Sequence, residues 1–158
     1  MPIYAVQYDN THYSAALEPQ KLYCAATDIV RRLSKFLNNT KAMPILVYQG
    51  MSGVSHATML AHCLTEQNIA CGMIYVRKAN EQCHGSEIEC NIPASKTYAF
   101  YFVDDFVETA ETFIRCNEMM MEQFNLKHKS LGTILFEPNA DGKYPHIANP
   151  KHIIKSIK

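Results

Sequence analysis

Two adjacent carboxylates, Asp104 and Asp105, close the apolar run TYAFYFV, and Thr109, Ala110, Glu111 and Thr112 follow a few positions later, before a periodic segment. Neighbouring carboxylates repel each other and only accept hydrogen bonds. The partners they suit are vicinal hydroxyls, as on a ribose, or a hydrated Mg²⁺. Small hydroxyl residues at a helix start offer hydroxyls and free backbone N–H groups to an anion. The same residues also serve as an ordinary N-cap, so this stretch alone leaves both readings open.

Two further segments carry chemistry. In QGMSGVSHA, residues 49–57, Gly50, Met51, Ser52 and Gly53 lie between the apolar run PILVY and a helical pattern. Glycines let the backbone turn tightly and approach an anion, although an ordinary βα turn would look the same. The GxxxxGK[ST] pattern of a nucleotide-binding loop is absent. In YVRKANEQCHG, residues 75–85, Arg77 and Lys78 supply cations at a strand end, and His84 supplies a group able to donate a proton or touch a phosphate. A solvated strand end and a surface histidine are the plain alternatives.

Elements of alternating type must position these three segments. Leu22, Ala26, Ile29, Val30, Leu33 and Leu37 recur at helical spacing after Pro19, which predicts a helix over 18–37. Strands are expected at 3–8, 44–48, 69–76, 97–103 and 131–136, with helices at 54–67, from Phe113 to Phe124, and a short closing one at 150–157. Met119, Met120 and Met121 read as core filler. Residues 79–96 show little periodicity and read as a long functional excursion. This order implies a single α/β domain: a central, mostly parallel sheet with helices on both faces. In such sheets ligands bind beyond the carboxyl ends of the strands. The ends at residues 48, 76 and 103 should therefore converge.

Composition bounds the answer. The chain has 158 residues, 47% of them apolar and 19% charged, with 15 basic residues balancing 15 acidic ones. That balance argues against a nucleic-acid partner. No apolar run approaches the roughly 18 residues of a membrane span, and the start MPIYAVQYDN lacks a secretory pattern. A cytoplasmic chain without a membrane partner is expected. Six scattered cysteines read as reduced thiols, since Cys83, His84 and Cys90 match no common zinc spacing.

The three segments, in this order, resemble the type I phosphoribosyltransferases. FVDDFVETAET is similar to that family's signature of an apolar strand, two acidic residues, two apolar residues and a TGGT-like loop entering a helix. QGMSGVSHATMLA resembles the pyrophosphate loop and its helix, and YVRKANEQCHG the RK…HG segment of the orotate enzymes. The likeness spans residues 44–136. It implies transfer of a 5-phosphoribosyl group from phosphoribosyl pyrophosphate (PRPP) to a nitrogenous base, with Mg²⁺ as cofactor and catalytic roles for Asp105, Lys78 and His84. Asp104 and Asp105 would meet the ribose hydroxyls directly or through the metal. Glu108 to Thr112 would hold the 5-phosphate, and Gly50 to Gly53 with Arg77 and Lys78 the pyrophosphate. A hood over the base would come from residues 1–43 or 137–158, and a homodimer is a further expectation. Ala110 and Glu111 depart from the TGGT-like loop, and the orotate enzymes' lysine between RK and HG is missing. The alternative reading is accordingly a weak or inactive binding or regulatory protein on the same fold.

Overall fold

A computed structural model describes residues 18–81, 86–105, 109–126, 131–136, 145–155 and 157. The strand expected at 3–8, His84 and Glu108 lie outside these residues, as does Cys83. Nine elements follow in order: α1 (Pro19–Thr40), β1 (Met43–Tyr48), α2 (Gly50–Glu66), β2 (Gly72–Val76), β3 (Ile88–Asn91), β4 (Tyr98–Asp104), α3 (Glu111–Phe124), β5 (Gly132–Leu135) and β6 (His146–Ala148).

The strands form one six-stranded sheet in the order β3-β2-β1-β4-β5-β6. The four inner strands are parallel, and β3 and β6 pair antiparallel at the two edges. The sheet is thus mostly parallel, as expected from its near-continuous apolar strands. Strand alternation divides the core in two. Leu46, Tyr101, Val103 and Ile134 pack beneath α1 and α2. Ile45, Val47, Phe100 and Phe102 face the other way and meet Cys116, Met119 and Met120 of α3. Helices therefore cover both faces; Met119 and Met120 are core packing, whereas Met121 is half-buried and outside that cluster.

Each inner helix forms because one stripe of it is apolar. In α1 the buried positions run from Leu22 to Leu37 at three- and four-residue spacing, with Pro at the first turn and Lys41 in left-handed conformation (φ 54°) ending it. Parallel pairing of β2, β1 and β4, with Tyr48 opposite Tyr75 and Val47 opposite Phe102, brings three carboxyl ends to one sheet edge. Gln49, Arg77 and Asp104 emerge there together.

Three expectations need correction. Helix α2 begins at Gly50 rather than 54, so QGMSG is the first turn of a helix and not a free loop. The excursion at 79–96 contains β3, whose Ile88 and Cys90 pair with Val76 and Ile74. Residues 150–155 form no helix; Ile154 bridges to Tyr98, exchanging backbone hydrogen bonds of 2.7 and 2.9 Å. Strand β6 was not anticipated.

Candidate functional site

A cavity of about 510 Å³ opens beyond the carboxyl ends of β1, β2 and β4. Its walls are two helix starts: Gly50, Met51 and Ser52 of α2 on one side, and Ala110 to Phe113 of α3 on the other. Between them lie Asp104, Asp105 and Thr109, with Lys78 and Gln49 over the β2 side. Phe102 forms part of the apolar lining, its ring edge-on to Phe113 at 5.4 Å between centroids.

Among the described residues, neither helix start has a side-chain cap from its N-cap position. The Gln49 side chain makes no cap hydrogen bond to α2, and Ala110, the N-cap of α3, has no side chain able to make one. The Thr109 hydroxyl accepts only a long bond of 3.4 Å from the Glu111 N–H. Uncapped first-turn N–H groups are positive poles that attract anions. Here two of them face one cavity.

Backbone conformation makes this possible at a cost on one side. Gly50 has φ +71°, a left-handed value that glycine adopts freely, and a Cβ there would lie 3.4 Å from Lys78 Cε and 3.8 Å from its Nζ. The Lys78 chain therefore folds across the start of α2. Ala110 adopts φ 62° without glycine's freedom. That conformation costs an L-residue roughly 1–2 kcal/mol. Ala110→Gly should relieve it, less the roughly 0.5–1 kcal/mol of extra unfolded-chain entropy glycine brings. A rise in melting temperature of about 2–3 °C is expected by calorimetry.

The carboxylate pair is asymmetric. Burial pushes the Asp104 carboxyl up, to about 7; the neighbouring Asp105 carboxyl adds to this, and the Ser52 hydroxyl pulls it back. The Asp105 N–H donates to Asp104 Oδ1 at 2.9 Å. Burial makes the charge of this carboxyl costly, and no ion pair to it occurs among the described residues; a cation or a hydroxyl-rich ligand would relieve that condition. The same charge, after burial, helps push the Cys116 thiol up to about 12, so that thiol is inert core.

Most predicted site residues meet in this cavity: Asp104, Asp105, Thr109, Ala110, Glu111, Thr112, Gly50, Met51, Ser52 and Lys78 all line it. Two described ones do not. Gly53 is buried one turn deeper in α2, where a Cβ would come 3.1 Å from Tyr48 Cβ. Arg77, expected beside Lys78, instead turns its guanidinium to Glu89 of β3 and is 9% exposed. Sequence reasoning missed Gln49 and Arg115. The Gln49 Nε2 and Arg115 Nε groups both donate to the Arg77 carbonyl, at 2.9 and 3.0 Å. Neither carries a local pattern that would reveal it, because each partner lies tens of residues away.

Among the described residues, no group of three or more His, Cys, Asp or Glu side chains is arranged to hold a metal ion, and no helix is long and apolar enough to cross a membrane.

No family model matches the chain, and no curated protein matches it by sequence. Solved structures do resemble it. Hypoxanthine phosphoribosyltransferase from Trypanosoma cruzi, in complex with the product IMP, superposes with a TM-score of 0.55 at 15% identity, over 79% of this chain and 70% of that one. Hypoxanthine-guanine phosphoribosyltransferase of L. donovani gives 0.55 at 14% identity, over 80% and 79%. These are hypoxanthine enzymes, so they lend no specific support to the orotate-like character of residues 75–85. At such identity the likeness establishes architecture: the chain has the type I phosphoribosyltransferase fold.

Proposed function

We propose that this protein is a phosphoribosyltransferase, moving a 5-phosphoribosyl group from PRPP to a nitrogenous base with release of pyrophosphate. One observation carries the reading: two uncapped helix N-termini face a single cavity with a carboxylate pair between them. Two anion poles flanking a hydroxyl acceptor are the complement of a sugar that bears a phosphate at one end and pyrophosphate at the other.

In this reading the start of α3, from Thr109 to Thr112 and with Glu108 before it, cradles the 5-phosphate. Asp104 and Asp105 accept hydrogen bonds from the ribose hydroxyls. Gly50, Met51 and Ser52 hold pyrophosphate together with Lys78, whose ammonium balances the charge that grows on the leaving group as the C1–O bond breaks. The acceptor nitrogen takes the vacated position on C1, and the pyrophosphate departs with the bonding electrons. His84 is proposed to serve as proton carrier on the segment after Lys78. Arg77, directed at Glu89, would act from outside the cavity.

Mg²⁺ fits the donor set: oxygen ligands are what a hard cation takes, and Asp104 is a half-buried carboxyl with no ion pair among the described residues. Asp104 and Asp105 would meet it, largely through water or the ribose hydroxyls, and it would supply charge neutralisation for the pyrophosphate. The hood over the base falls to residues outside 44–136. The acceptor base, a cytoplasmic setting, the absence of nucleic-acid and membrane partners and a homodimer complete the proposal.

The test is a panel of bases with PRPP and Mg²⁺, read by pyrophosphate release. Release with at least one base, lowered about 10²–10³-fold in Asp105→Asn, is expected. A second reading, a PRPP- or nucleotide-binding regulator without turnover, is favoured by Ala110 held at φ 62° and by Glu111 at the anion end of the cavity. It predicts binding with no release for any base.

A further inference from the structure

We infer that Gln49, Arg115 and Glu81 form a clamp on the peptide between Arg77 and Lys78, and that this clamp positions Lys78 over the start of α2; the inference rests on the proposed role of Lys78 at the pyrophosphate.

Strand β2 ends at Val76, and among the described residues no strand pairs with the peptide that carries Lys78. Side chains hold it at both poles. Its carbonyl accepts from Gln49 Nε2 at 2.9 Å and from Arg115 Nε at 3.0 Å. Its N–H lies 3.2 Å from Glu81 Oε2. Each of the three side chains comes from a different place: the end of β1, the second turn of α3 and the turn after β2. Glu81 is itself fixed by the Tyr75 hydroxyl, at 3.0 and 3.1 Å from its two carboxylate oxygens. On the preceding residue, the Arg77 N–H donates to the Glu87 carbonyl at 2.9 Å and the guanidinium pairs with Glu89.

Both lone pairs of one carbonyl and its peptide's N–H are thus occupied, and rotation of that peptide plane would break all three bonds. The plane sets the direction in which the Lys78 side chain leaves the backbone. Its Cε and Nζ are consequently held beside Gly50, at the pole of α2, although the side chain itself is exposed. An ammonium beside a helix N-terminus is unfavourable unless an anion is shared between them. Fixing it there costs stability that only a bound anion recovers, which a purely structural arrangement would avoid. Arg115 adds a second feature. It reaches from α3, whose first turn forms the opposite wall, to the β2 end, and so ties the two walls of the cavity together.

The experiment measures Mg²⁺–pyrophosphate affinity by calorimetry for wild type, Lys78→Met, Gln49→Met, Arg115→Met and Arg115→Lys, alongside hydrogen exchange of the Lys78 amide. Expected are a loss in Lys78→Met and a loss of about tenfold in Gln49→Met and Arg115→Met, the size of one hydrogen bond to a charged or buried group. Arg115→Lys should recover most of it. The Lys78 amide should exchange faster in the two Met variants, and the KM for PRPP should rise more than kcat falls. Variants that lose melting temperature but keep wild-type pyrophosphate affinity would overturn the clamp while leaving the site intact. A wild type that binds no pyrophosphate would overturn the reading of the site, and the clamp with it.

Discussion

Asp104→Asn should make the protein more stable and less able to bind PRPP, with the two effects separable by pH. The folded state holds this carboxyl up at about 7 through burial first and Asp105 second. In the unfolded chain it titrates near the ordinary value of about 3.9. Folding therefore favours the proton: the stability associated with neutral Asp104 is fully present below about pH 4 and is lost as pH rises through about 7. Above pH 7 the native protein carries a half-buried charge that Asn does not. With solvent screening at the cavity mouth discounted, the cost is about 2 kcal/mol. At pH 8 the variant should melt about 4–8 °C higher than wild type, and the gap should close at pH 4. The Asp105 N–H keeps an acceptor, because the Asn amide oxygen can replace Oδ1 at the 2.9 Å bond. PRPP affinity should fall roughly 10–100-fold, the loss of a charged hydrogen bond to a sugar hydroxyl. Scanning calorimetry at pH 4, 6 and 8 with titration of Mg²⁺–PRPP reads both. A variant less stable than wild type at pH 8 would refute the account of the pair.

Glu111→Gln should shift both quantities the other way. Glu111 is exposed, lines the cavity and stands in the first turn of α3, where a negative side chain complements the helix dipole. Its neutralisation should cost roughly 0.5 kcal/mol of stability. The same carboxylate repels the phosphate proposed to sit at that helix start. Removing the repulsion across several ångströms of solvent should tighten PRPP binding about 3–10-fold, and the gain should shrink as salt is added. Measured affinities at low and high ionic strength decide it. Unchanged or weaker binding at low salt would mean that no anion occupies the start of α3. Opposite signs at Asp104 and Glu111 follow from position. In the proposed site, Asp104 would face ribose hydroxyls while its burial raises the cost of its charge, and exposed Glu111 would face a phosphate.

The candidate site was legible where chemistry is local. An aromatic, β-branched run broken by Asp104 and Asp105 can only be a buried strand reaching a polar edge, and β4 is that strand. Parallel order then forces the strand ends together without any knowledge of side-chain partners. What stayed hidden depends on distance or on weak local signals. Gly50 and Gly53 read as loop because glycine is a poor helix former, yet Gly50 supplies the left-handed start of α2 and Gly53 its close approach to Tyr48. Strand β3, sequence IECN, is a largely exposed edge of four residues, too short for the alternation of Ile88 and Cys90 with Glu89 and Asn91 to stand out, so its pairing with β2 is what marks it. Ile153, Ile154 and Ile157 mimic a helical face but belong to a segment that bridges to the start of β4. Arg77 looked like a ligand because arginine beside lysine suggests an anion. Glu89, twelve residues on, claims its guanidinium across the β2–β3 pair.

The proposed occupant of this cavity is a ribose carrying phosphate at one end and pyrophosphate at the other. Calorimetric titration of PRPP into the protein with Mg²⁺ present tests it most directly. Saturable one-to-one binding, lost in Asp105→Asn and weakened in Lys78→Met, is expected. No binding of PRPP by the wild-type protein, or binding indifferent to both substitutions, would contradict it.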